Sequence, residues 1–207
     1  MKSWTAVMWA VLSASGIVQS SWAQYSSTSD PISWELPSTW RVQSEYNLEK
    51  TGYLQAPYPT YTLIAGAEPA QLDGVDNPPS VYAFSETPSP WFMVLVERGT
   101  SAVPPAAEAY ELAPEGEMTL QEKEGLEPRL VNLTKPANVS SGGIRGSQAR
   151  SEVIVPGAGD IELDEVVYAK GHTIWMTMAG CTVACYNANA GTLSRVIDSV
   201  KVGTAAL

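Results

Sequence analysis

Histidine occurs once in the 207 residues, cysteine twice and phenylalanine twice, and 12 basic side chains face 22 acidic ones. Each scarcity narrows what the chain can do. A formal net charge of −10 repels phosphate backbones and anionic lipid, which argues against nucleic-acid binding and against docking on a charged bilayer. Charge of this sign serves solubility instead. With His172 alone, and with no Gly-x-Ser-x-Gly elbow, the sequence offers no nucleophile paired with a base, and we read the chain as non-catalytic. Beyond the N-terminal region no apolar run approaches the roughly 20 residues that span a bilayer. No stable membrane insertion is therefore expected.

The N-terminal region itself reads as a secretory signal peptide over residues 1–23. Lys2 is its positive start, Ala6 to Val18 its apolar stretch, and Ser21-Trp22-Ala23 the small-x-small pattern that places cleavage before Gln24. A polar Ser/Thr tract, residues 24–31, then reads as a flexible leader, and residues 32–203 as one domain. The expected location is secreted or periplasmic.

Within the domain, Ile32, Trp34 and Leu36 alternate with polar residues, the period of a half-buried strand, which Pro37 ends. Residues 44–60 read as a Pro-rich loop, and Tyr46, Tyr53, Tyr58 and Tyr61 gather there. Tyrosine adds contact area at low entropic cost, so Tyr53, Tyr58 and Tyr61 are candidate partner contacts. YTLIAG and VYAFSE are strand candidates, and the continuous apolar run Trp91 to Val96 suits a strand covered on both faces. Residues 104–125 read as one broken helix or two short ones, with Thr119 and Glu122 in capping-box spacing.

The last third predicts three strands, GSQARSEVIV, DIELDEVVYA and HTIWMTMA, joined by PGAG and by a tight turn at Lys170-Gly171. Ile161 and Leu163 fall out of phase with Val166 and Tyr168, which predicts a bulge near Asp164-Glu165. The carboxylates Asp160, Glu162 and Asp164 read as a solvated face. Leu193, Val196, Ile197 and Val200 then mark the buried stripe of a C-terminal helix, with Asn187 or Asn189 capping its start. Segregated strands and helices point to an α+β domain with a central antiparallel sheet.

Cys181 and Cys185 lie between the last strand and that helix. Strand positions four apart are roughly 13 Å from each other, too far for a disulfide, which needs Cα atoms within about 7 Å. A helical turn brings them to about 6 Å. An exported chain favours paired thiols, so we expect a disulfide that staples the turn. A copper site built from His172, Met176, Met178 and the cysteines is the alternative. His172 and Met178 would lie roughly 20 Å apart along a strand and cannot share an ion, which leaves Met176, Met178 and the cysteines as the set that could. The methionines read as core filling, and no cofactor or metal is assigned. Asp73, Asp76 and Asn77 lack EF-hand spacing and read as turn chemistry. Asn132 and Asn138 head N-glycosylation sequons, which matter only in a host that reads them.

Taken together, SWELPSTW, WFMVLVERG, the helical stretch, GGIRGSQARSEVIV, VVYAKGHTIWMTMA and LSRVIDSVKV resemble the PsbP-like superfamily, across roughly residues 31–203. That superfamily includes the photosystem PsbP proteins, DcrB-type envelope proteins, LpqN-type lipoproteins and Ran-binding Mog proteins. The matching positions are Pro37 to Trp40, Gly142 to Gly146, and Ile197 to Val200. The resemblance implies an α/β/α sandwich and binding or assembly roles without shared catalysis. The expected function is an exported accessory factor that binds a protein partner; the alternative is a small-ligand or copper-binding protein of the same compartment.

Overall fold

The three strands expected in the last third form the centre of the molecule, and the other described strands are arranged around them. The computed structural model describes residues 21–27, 30–42, 46–47, 60–67, 88–98 and 129–203. In chain order the strands are β1 (Trp22–Ser26), β2 (Ile32–Pro37), β3 (Arg41–Val42), β4 (Tyr46–Asn47), β5 (Thr60–Gly66), β6 (Trp91–Arg98), β7 (Arg129–Asn132), β8 (Ala137–Ser141), β9 (Ile144–Ile154), β10 (Ile161–Lys170) and β11 (Thr173–Thr182). Helix α1 (Val183–Asp198) and strand β12 (Lys201–Val202) follow. A nine-stranded antiparallel sheet has the order β3-β5-β6-β11-β10-β9-β7, with β4 beside β5 and β8 beside β9, and a small sheet has the order β1-β2-β12.

β10 lies between β9 and β11, and its register with each is one-to-one from Ile161 to Tyr168. The expected bulge is absent. The phase change arises because β10 is buried on both faces: Ile161, Leu163, Glu165 and Val167 share one, Glu162, Asp164, Val166 and Tyr168 the other. Carboxylates standing at interior positions imitate a slip in the apolar pattern. The strand expected from Trp91 to Val96 is also covered on both faces, with Trp91, Phe92, Met93, Val94 and Val96 all buried.

Helix α1 crosses β10 and β11 and touches β2. Leu193, Val196 and Ile197 form its buried stripe and Val200 continues it. The helix starts earlier than the asparagines suggested, at Val183, with no side-chain cap bond from Thr182. Cys181 and Cys185 are joined by a disulfide with Cα atoms 5.8 Å apart, which encloses the first turn. Asn189 therefore lies inside the helix, where its Nδ2 donates to the Cys185 carbonyl at 2.8 Å.

β12 joins the two ends of the chain. It pairs with β2 through Lys201↔Ser33 and Val202↔Ile32. On its other side the Val202 N–H donates to Ser141 Oγ at 2.9 Å, at the tip of the β8–β9 hairpin. Gly142 turns that hairpin with a φ of 55°, and a Cβ there would run into the Val202 carbonyl. Gly146 lies opposite Tyr168, and a Cβ would stand 2.5 Å from the Val167 carbonyl oxygen and 2.6 Å from the Tyr168 ring. Gly142 and Gly146 of GGIRG are thus fixed by close approach, whereas Gly143 is set by its positive φ of 77° alone.

Several expectations change. Residues 22–26 of the supposed signal and leader form β1, because Gln24, Tyr25 and Ser26 find antiparallel partners in Glu35, Trp34 and Ser33. Tyr46 belongs to β4, which pairs with β5, so it is a strand residue and not a loop residue; the strand expected over YTLIAG is β5, and Tyr61 belongs to it. The turn between β10 and β11 is Gly171-His172, one position later than expected, and Gly171 supplies its positive φ of 62°. The strand expected over residues 81–86 and the helix expected over residues 104–125 lie outside the described residues. What is described is a largely antiparallel α+β fold with one helix packed on the sheet.

Candidate functional site

The face of the large sheet under α1 is apolar toward β6 and polar toward β9. Arg150 of β9 stands directly across from Asp164 of β10, and Glu162 is two positions along the same face. Arg150 forms an ion pair with Glu162, which is only 5% exposed. Its guanidinium also lies over the Tyr186 ring of α1, 4.4 Å from the centroid. The Tyr186 hydroxyl donates to Asp164 Oδ2 at 2.8 Å. A buried carboxylate needs such partners, since isolation would cost several kcal/mol. Burial pushes the Asp164 carboxyl above its ordinary pKa, while the Tyr186 hydrogen bond and Arg150 pull it back. Burial and the bond to Asp164 push the Tyr186 phenol up, which keeps it a donor. The network fastens the helix to the sheet.

It continues toward the far end of α1. Gln148 Nε2 donates to Asp198 Oδ1 at 3.4 Å, and Asp198 belongs to the wall of an open groove of about 450 Å3. Ser33 and Glu35 of β2, Gln24 of β1, and Arg195, Ser199 and Lys201 complete much of that wall. The Arg195 guanidinium sits 3.9 Å from the Trp22 ring centroid and 3.6 Å from the Glu35 carboxylate. The Glu35 N–H donates to Ser199 Oγ at 2.8 Å. Lys201 Nζ donates to the Asp198 carbonyl at 3.5 Å, so cations gather where the helix dipole is negative. The groove thus presents charges of both signs on a helix end and a small sheet.

The residues singled out from sequence have separate fates. The disulfide takes both thiols, and Cys181 faces α1. Met176 and Met178 occupy alternate positions from Thr177, Ala179 and Cys181 and so share the opposite face of β11. His172 is exposed in its turn, so these groups do not converge. Among the described residues no group of three or more His, Cys, Asp or Glu side chains is placed to hold a metal ion. Tyr53 and Tyr58 lie outside the described residues, as do Asp73, Asp76 and Asn77, and Tyr61 is described only as a position in β5. Asn138 is exposed on β8, whereas Asn132 Oδ1 accepts a bond from Ser151 Oγ at 3.0 Å. Glu162 and Asp164, expected in solvent, are interior and partnered because Arg150 and Tyr186 reach them. Sequence reasoning missed Arg150, Tyr186, Trp22 and Arg195. The available signal was three acids in a strand that is otherwise continuously apolar.

No protein-family model matches the chain, and no curated protein matches it. Solved structures do. The cyanobacterial PsbP protein CyanoP of Synechocystis sp. PCC 6803 aligns with a TM-score of 0.52 at 10% identity, covering 93% of this chain and 98% of that one. LpqN of Mycobacterium tuberculosis, described as involved in cell envelope biogenesis, aligns at 0.46 and 12% identity, covering 87% and 90%. The Ran-binding protein Mog1p of Saccharomyces cerevisiae aligns at 0.44 and 10%, covering 89% and 96%. The likeness to CyanoP shows a PsbP-like fold. No described helix is long and apolar enough to cross a membrane.

Proposed function

We propose that this protein is an exported, non-catalytic accessory factor that holds a protein partner in the groove between the small sheet and the end of α1. The observation that carries this reading is the groove's lining. Small-molecule sites are mostly apolar concavities with a few polar groups. This groove is open and lined by Gln24, Ser33, Glu35, Arg195, Asp198, Ser199 and Lys201, with both signs of charge, and Trp34 supplies an apolar patch among them. Paired charges on rigid elements suit the polar rim of a protein interface, where they set specificity and encounter rate. A second helical layer from residues 104–125 would complete an α/β/α sandwich. Tyr53, Tyr58 and Tyr61 would extend the contact beyond the groove.

Photo-crosslinking in the native host tests the reading. A crosslinker at Lys201 should give one discrete adduct with a partner protein. The same group at exposed Pro156, in the β9–β10 turn, should not. Arg195→Glu combined with Lys201→Glu should reduce the Gln24 crosslink at least tenfold. Equal adducts from Lys201 and Pro156 would remove the groove from consideration. Deletion of residues 50–60 tests the tyrosine extension separately.

A further inference from the structure

We propose that the secretory peptidase cuts the Ser20–Ser21 bond, so that Trp22 and Ala23 remain on the mature protein and Trp22 supports Arg195, a residue of the groove wall. The inference rests on the export reading above. A cut before Gln24 is what Ser21-Trp22-Ala23 alone suggests, as a small-x-small tripeptide. The fold uses those residues. β1 starts at Trp22, and its first two residues pair with Pro37 and Leu36. Immediately before it, the Ser21 carbonyl accepts the Ser38 N–H at 2.8 Å, and the two serine hydroxyls are bonded to each other. Trp22 packs against the core and lies beneath the Arg195 guanidinium, 3.9 Å from ring centroid to cation. Arg195 in turn reaches Glu35 across the groove.

A cut before Gln24 would discard this whole set. It would shorten β1 to Gln24, Tyr25 and Ser26 and strip the aromatic surface from Arg195. It would also place a free ammonium on Gln24, a residue of the groove wall. A cut after Ser20 costs the fold nothing. Val18-Gln19-Ser20 supplies a small residue at the cleaved position and an uncharged one two places before it. Within the apolar stretch Ala6 to Val18, the uninterrupted run Ala6 to Leu12 meets the lower limit of about 7 residues for a signal core, and the mixed segment Ser13 to Ser20 leads to the cut. The peptidase adds one water across the Ser20–Ser21 amide, leaving a carboxylate on Ser20 and an ammonium on Ser21. Ser21 is exposed, so the new charge stays hydrated.

Intact-mass analysis and N-terminal sequencing of full-length protein, recovered from the envelope fraction of a secreting host, decide the matter. The expected N-terminus is Ser21, and the chain is heavier than the alternative by Ser-Trp-Ala. Ser20→Leu should accumulate precursor, while Ala23→Leu should be processed like the wild type. An N-terminus at Gln24, or at any residue other than Ser21, overturns the assignment while leaving export intact. A chain that keeps residues 1–20 and stays in the cytoplasm overturns both readings together.

Discussion

Glu165 is 5% exposed on the sheet face opposite α1, and burial pushes its carboxyl up to about 7 from an ordinary 4.5. Ala149 of β9 and Met178 of β11 flank it, with Leu163 and Val167 along its own strand. Ser147, Ser151, Met176 and Gly180 are the next neighbours on that face, and among these described residues none is charged. Because the folded pKa is raised, the contribution to stability is full below about 4.5 and is lost as pH rises through about 7. Glu165→Gln should therefore match the wild type at pH 4 and exceed it at pH 8 by roughly 3 kcal/mol, at 1.36 kcal/mol per unit. Denaturant unfolding across that pH series measures the gap; a constant gap would contradict the assignment. Gly146→Ala should destabilise at every pH by about 1–3 kcal/mol, since the added methyl overpacks against backbone and the Tyr168 ring.

Among elements, α1 has the most specific anchoring. The disulfide encloses its first turn, the Tyr186 network holds its first half, and Leu193, Val196 and Ile197 hold the rest. Replacing both cysteines by serine should cost about 2 kcal/mol on the chain-entropy model. It should also raise amide exchange at Val183 to Asn187 while leaving Leu193 to Ile197 protected; uniform loss of protection would argue against a local staple. Tyr186→Phe should cost about 1–3 kcal/mol, because Asp164 would lose its donor in a buried setting. The elements themselves were legible wherever one physical signal dominated. Alternation found β2, turn signals bounded β9, β10 and β11, and a 3.6-residue stripe found the end of α1. The short strands β1, β7, β8 and β12 were not legible, because pairing partners and not composition make them strands. Arg150 was illegible for a related reason: its partners sit on two other elements, β10 and α1, and no spacing along the chain encodes that meeting.

On the scale of the whole molecule, the two sheets share one core, in which Trp34 of β2 packs on Phe92 of β6, and a set of hydrogen bonds through β12. β12 pairs with β2 and also meets Ser141, and Val202 is fully buried between them. Truncation after Val200 should lower unfolding free energy by about 3 kcal/mol, given the loss of one buried valine and its ladder bonds. It should leave β9, β10 and β11 protected against exchange; collapse of the meander as well would mean the sheets are one cooperative unit. The groove depends on the same arrangement, since its walls are β1, β2 and the end of α1. It was legible only in pieces, as a strand here and a helix there.

The pairing of Ile32 with Val202 also sets an order of events. A chain made or threaded N-terminus first presents residue 32 long before residue 202 exists on the same side. β1 and β2 can pair early, but the third strand of the small sheet and the Lys201 side of the groove must wait for residues 201 and 202. Contacts that span nearly the whole sequence are slow to close and leave an open intermediate in the interval. The bond from Val202 N–H to Ser141 is thus a late event, and until it forms the tip of the β8–β9 hairpin lacks that partner.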